Sequence, residues 1–198
     1  MDLNFFKQTR ILDGGMGQEL LARGMKPNGT LWSANALLQK EYHQLLLDTH
    51  LDFIRSGAEV IVTATFTTRR SRLKQNGVED KMEYLIKKAG EIAVLAKKQY
   101  PHVLIAGGLP PQHLTYEADD RTNEIIFNNF YEQAKLINPY SDFFYFDVLS
   151  SVREFEIAKD AIKEFKKPYL FGIHISEGKN LPSGERISDF KELCKDQN

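Results

Sequence analysis

The sequence predicts an α/β protein built on a parallel sheet, and three observations carry that expectation. Short β-rich runs alternate with longer stretches of helical periodicity, the pattern of repeated βα units. The run Glu59 to Thr65 is apolar on both faces, as a strand covered by helices should be. Asp13, Thr65, Asp147, His174 and the Gly107-Gly108 pair each follow the carboxyl end of a predicted strand, the edge where barrels and open parallel sheets bind ligands.

The first strand is expected at Arg10 to Leu12, ending at Asp13 and the turn Gly14-Gly15-Met16-Gly17. A helix over Gln18 to Arg23 stops at Gly24, a residue suited to the left-handed position past a helix end. Ser33 is placed to cap a short helix through Leu38. Lys40 to Arg55 reads as a long amphipathic helix, with Tyr42, Leu45, Leu46, Thr49 and Phe53 at three-to-four spacing and Gly57 closing it. After the second strand, helices are expected at Arg69 to Gln75 and Glu79 to Lys98. The third strand, Val103 to Ala106, runs into Gly107-Gly108-Leu109-Pro110-Pro111. Helix Asn123 to Leu136, strand Phe143 to Phe146, helix Val152 to Phe165 and strand Tyr169 to Ile173 complete the alternation. A loop from Ser176 to Gly184 and a final helix from Arg186 to Lys195 follow. Five strands suit an open doubly wound sheet on periodicity alone, because a (β/α)8 barrel takes eight strands.

With 198 residues, 42% of them hydrophobic, the chain has the material for one core, and a single domain over residues 1–198 is the expectation. A net charge of −1 gives no electrostatic reason to expect nucleic acid or a membrane surface as partner. The longest apolar runs, Val60 to Phe66 and Phe143 to Leu149, are strand-length and far short of the roughly 20 residues of a membrane helix. The start has no signal-like apolar stretch, so a cytoplasmic location is expected. The single cysteine, Cys194, allows neither an internal disulfide nor a multi-cysteine metal site from this chain alone; it reads as a small buried hydrophobe.

The turn at Asp13 carries physical content. Gly14 and Gly15 let the backbone bend sharply and present amides to an anion at the start of a helix. The pattern is not a dinucleotide fingerprint, which spaces its glycines as G-x-G-x-x-G. Thr63 and Thr65 share one sheet face, either for a site or for the β-propensity of threonine. Asp147 ends the aromatic run Phe143 to Phe146, and a carboxylate beside so much apolar surface wants a cationic partner such as a ligand ammonium; capping of the next helix is the plainer role. His174 suits a satisfied interior histidine as well as a catalytic one. Arg69, Arg70, Arg72 and Lys74 read as a solvated helix face. Any one strand-end residue is explained by turn chemistry, but five on successive strands favour a shared site.

The segments Ile11-Leu12-Asp13-Gly14-Gly15-Met16-Gly17, Leu31-Trp32-Ser33-Ala34 and Gly57-Ala58-Glu59-Val60-Ile61 running into Thr63-Ala64-Thr65-Phe66 together resemble the homocysteine S-methyltransferase family. Ala106 to Pro111, Phe146-Asp147 and Ser176-Glu177-Gly178 agree in order and spacing. The resemblance implies a TIM-barrel type (β/α)8 fold, of which this chain holds about five βα units, in place of the open sheet. It implies methyl transfer from a methyl donor to the thiol of homocysteine, or to a related thiol or selenol, in methionine biosynthesis. A zinc ion held by three cysteines would lower the thiol pKa.

Carried over by position, Asp13 and the amides of Gly14 and Gly15 would hold the amino-acid portion. Thr65 and Phe66 would line the pocket, and Asp147 would stand where a glutamate one methylene longer binds the substrate ammonium. Gly108-Leu109-Pro110-Pro111 departs from the family's Gly-Ser-Ile-Gly-Pro. The zinc cysteines lie beyond this stretch, and Cys194 precedes the first expected ligand by about a helix, so the chain is expected to be inactive alone. The free edges of an incomplete barrel invite association, which makes a homo-oligomer an expectation. The rival expectations are a non-catalytic amino-acid-binding protein that keeps the pocket without the metal, and an open-sheet protein with an unrelated small-molecule site.

Overall fold

The computed structural model describes residues 3–189. Its regular elements are α1 (Met16–Ala22), α2 (Ser33–Leu38), α3 (His43–Arg55), β1 (Val60–Val62), α4 (Arg70–Gln75), α5 (Met82–Gln99), β2 (Leu104–Leu109), α6 (Asn123–Ile137), β3 (Phe143–Leu149), α7 (Val152–Ile162) and β4 (Tyr169–Ile173), with short 3-10 turns between some of them. The four strands are parallel and lie in sequence order, β1-β2-β3-β4. On the free side of β1, Leu12 forms a parallel bridge with Val60. The amide of Asp13 donates to the Val60 carbonyl at 3.0 Å, and the Glu59 amide to Ile11 at 2.9 Å.

This order decides between the two architectures left open by periodicity. A doubly wound sheet reverses its strand order at a switch point, whereas a barrel adds each strand beside the last. Here every strand follows its predecessor in one direction, the course of a (β/α)8 barrel wall.

The two faces of the sheet are covered differently. Ile61, Ile105, Phe144 and Phe146 meet the helices in buried clusters with residues such as Ala93, Phe130 and Phe155. Val60, Ala106 and Phe143 form a separate cluster on the opposite face, against Phe5 and Phe6 of the N-terminal segment. The Phe6 and Phe143 rings meet edge to face at 5.2 Å.

Local chemistry explains the helix ends. Thr122 caps α6 by accepting from the Ile125 amide, and Ser151 caps α7 by accepting from Glu154. Glu154 in turn reaches back to the Ser150 amide at 3.1 Å, a variant of the reciprocal capping box. Gly24 and Gly57 follow α1 and α3 with φ of 100° and 111°, the left-handed geometry expected of them.

Four sequence expectations are corrected. Arg10 to Leu12 is not a strand; one bridge at Leu12 replaces it. Ser33 is the first residue of α2 rather than its cap. The Ala34 amide is instead capped by Thr67 Oγ1 at 3.1 Å, a residue 33 positions away. Gly107 and Gly108 lie inside β2, not in a turn after it. Asp147 is likewise inside β3. Most of the expected helix from Arg186 to Lys195, with Cys194, lies outside the described residues.

Candidate active site

A cavity of about 600 Å³ opens at the carboxyl edge of the sheet. Its wall includes the Asp13-Gly14-Gly15 turn, Phe66, Arg69, Arg72, Tyr145 and Asp147. Five residues placed here by sequence reasoning, Asp13, Gly14, Gly15, Phe66 and Asp147, thus meet at one cavity.

Thr65 does not line it. Its side chain is fully buried, and its hydroxyl donates to the Gly108 carbonyl at 2.7 Å. Thr63 Oγ1 accepts from the Gly108 amide at 3.0 Å, and the two hydroxyls are 3.0 Å apart. The threonine pair therefore extends the β1–β2 pairing beyond the end of β1. A side chain at Gly108 would lie 3.0 Å from both Thr65 Oγ1 and Val62 Cγ1, so this glycine serves close approach. His174 also stands apart from the cavity wall; its ring packs at 4.6 Å on Tyr116, which does line it.

Asp13 is anchored by a 3.0 Å hydrogen bond that its Oδ2 accepts from the Val62 amide. Its side chain keeps only 4% of its surface. Burial raises its pKa from 3.8 to about 7, against the two backbone donors that lower it, and the Asp147 carboxylate adds to the rise. Asp147 is half-buried, and burial lifts its pKa too, offset in part by the Tyr145 hydroxyl.

The pairing of β3 with β4 shifts register between Phe146 and Leu149. Val148 within that irregularity has φ of 61°, a left-handed conformation costly for a β-branched residue. A bulge of this kind re-aims side chains next to a site. Two carboxylates that repel each other in a partly dry cavity make a place for a cation with hydrogens to donate.

Of the basic cluster expected to face solvent, Lys74 is exposed and Arg70 and Arg72 are half-buried, while Arg69 departs from the expectation. Arg69 is 1% exposed. Its guanidinium donates to the Pro111 carbonyl at 2.9 Å and to Thr115 Oγ1 at 3.0 Å, which pins the loop after β2 over the cavity. Burial, with Arg72 nearby, lowers its pKa to about 10. Arg70 pairs with Glu79 and Glu132.

Sequence reasoning passed over His50, whose ring lies 3.8 Å from the Asp13 carboxylate, assigned Arg69 to solvent, and gave Tyr145 no role of its own. Spacing held one signal for His50. It falls four residues from both Leu46 and Ile54, on the buried stripe of α3.

No group of three or more His, Cys, Asp or Glu that would hold a metal ion occurs among the described residues. The cavity itself offers two carboxylates and two guanidinium groups, a donor set for an amphoteric organic molecule and not for thiolate-bound zinc. The residues present do not fit the metal that the resemblance implies.

The sequence model of homocysteine S-methyltransferases matches residues 10–198. The chain belongs to the homocysteine S-methyltransferase family. Among similar proteins, Homocysteine S-methyltransferase 2 of Zea mays is 33% identical over 104 residues, covering 52% of this chain and 30% of that protein. The Homocysteine S-methyltransferase of Escherichia coli (strain K12) is 25% identical over 200 residues, covering 92% of this chain and 64% of that protein. The chain thus spans less than two thirds of the length of these relatives.

The crystal structure of the homocysteine methyltransferase MmuM from Escherichia coli in metallated form superposes with a TM-score of 0.84 at 24% identity, over 96% of this chain and 72% of that one. At that identity the match shows the fold, and it agrees with the sequential strand order. The family match and the shared fold correct the open-sheet expectation and do not favour the non-catalytic amino-acid-binding protein that keeps the pocket without the metal. No helix among the described residues is long and apolar enough to cross a membrane.

Proposed function

We propose that this chain is one domain supplying the homocysteine-binding part of a methyltransferase that transfers a methyl group to the thiol of homocysteine, or of a related thiol or selenol. The observation that carries the proposal is the pair Asp13 and Asp147, two carboxylates sharing one cavity in a chain of this family. A ligand ammonium between them would relieve their repulsion and replace the water lost on burial. The Gly14-Gly15 turn would receive the rest of the amino-acid portion, and Phe66 would contact the apolar chain. Asp147, one methylene shorter than the glutamate of the resemblance, reaches the cavity from the β3 bulge. The methyl donor would enter the same cavity. The chain's own residues bind and orient the substrate, while the metal that activates the thiol in such enzymes has no ligand set among the described residues. A cytoplasmic setting fits a substrate with a free thiol.

Calorimetric titration of the 198-residue chain with homocysteine and with 4-sulfanylbutanoate, which lacks the amine, tests the proposal. Homocysteine should bind more tightly by about 10-fold or more, since a charge-assisted hydrogen bond contributes about 1.5–3 kcal/mol. Asp147→Asn should remove most of that preference. Equal affinity for the two ligands would refute the ammonium site.

A further inference from the structure

His50 is fully buried on α3, and neither ring nitrogen has a hydrogen-bond partner. Buried imidazole nitrogens without partners are costly, because each has given up water for nothing. Nδ1 lies 3.8 Å from Asp13 Oδ2, wider than a hydrogen bond and closed by a movement of about 1 Å. Asp13 lines the cavity and His50 does not, so the imidazole stands behind the carboxylate and away from any ligand. Asp13 Oδ2 is also the oxygen that accepts from Val62.

We infer that His50 is a positioning residue for Asp13: the neutral imidazole donates its Nδ1 hydrogen to Oδ2, so that Val62 and His50 together hold that oxygen and leave Oδ1 for the ligand. Burial favours the uncharged imidazole, in keeping with this role. The contact tightens when the carboxylate ionises against a bound ammonium, since an ionised acceptor forms the shorter, stronger bond. This last step rests on the proposed homocysteine site; the His50–Asp13 contact itself does not.

The test is nitrogen-15 NMR of the imidazole in the ligand-free 198-residue chain. His50 should be a neutral ring protonated on Nδ1, and Asp13→Asn should move its Nδ1 signal while the other histidines stay in place. An unchanged His50 spectrum in that variant, or a ring protonated only on Nε2, would overturn the inference. A second pair of variants keeps the question open to decision if Asp13→Asn does not fold. His50→Asn retains a donor near the Nδ1 position, and His50→Phe retains a ring without one. With homocysteine as the probe, affinity should stay within about 3-fold for His50→Asn and fall about 10-fold or more for His50→Phe. Equal losses in both would reduce His50 to a packing residue. If homocysteine fails to bind the unmodified chain, the proposed function fails, while the spectrum of His50 still decides the contact.

Discussion

Replacing Asp13 by asparagine separates what the carboxylate does for a ligand from what it costs the fold. In the folded chain its pKa is raised from 3.8 to about 7, with burial as the largest cause. A group that keeps its proton in the native state after the unfolded chain has released it stabilises the fold at low pH. That contribution is lost as pH rises from the unfolded value through the folded one. Between about pH 5 and about pH 8 roughly two units of that window are crossed, which at about 1.4 kcal/mol per unit amounts to about 3 kcal/mol. The amide side chain of the Asp13→Asn variant has no such titration. Urea unfolding of both proteins at the two pH values measures the difference directly. The unmodified chain should lose about 3 kcal/mol relative to Asp13→Asn on going to the higher pH, while the variant loses the homocysteine preference. His50, whose pKa burial lowers to about 4, weakens the fold on the acid side in both proteins and so largely cancels in the comparison. A stability difference between the two proteins that does not change with pH would refute the account of a dry, strained carboxylate.

Other outcomes follow from the same structure. Gly90 lies inside α5, where alanine ordinarily gains about 1 kcal/mol, yet a side chain there would sit 2.6 Å from Tyr140 Cβ and run into the base of its ring. Gly90→Ala should therefore destabilise by about 1–3 kcal/mol in thermal unfolding, and a neutral or stabilising result would contradict the packing. Arg69→Met should strip hydrogen-exchange protection from the loop after β2 while changing global stability by less than about 2 kcal/mol, because a buried cation and its two loop bonds leave together. Unchanged protection would show that Arg69 does not hold the loop. The purified 198-residue chain should contain no stoichiometric zinc and show no methyl transfer to homocysteine; metal analysis with a thiol-methylation assay would reveal the opposite.

Much of this protein was legible in its sequence because the relevant forces are local. Helical periodicity placed α3, α5, α6 and α7, and Tyr169–Ile173 is the strand its composition describes. Asp13 and Asp147 were found because βα topology sends successive strand ends to one edge, Gly14 and Gly15 through the turn that follows Asp13, and Phe66 through the family resemblance. Contacts between distant segments decided the rest. One-directional winding, and hence barrel over open sheet, exists only in the pairing of Leu12 with β1 and of each strand with the next. Gly107 and Gly108 look like a turn until the hydroxyls of Thr63 and Thr65 draw Gly108 into the sheet. Arg69 looks solvated in a run of basic residues, and only the returning loop at Pro111 and Thr115 buries it. His50 and Asp13 stand 37 positions apart, and nothing in either residue's neighbourhood announces the other. Periodicity records which face of a segment avoids water, whereas the partner waiting on that face is set by long-range packing.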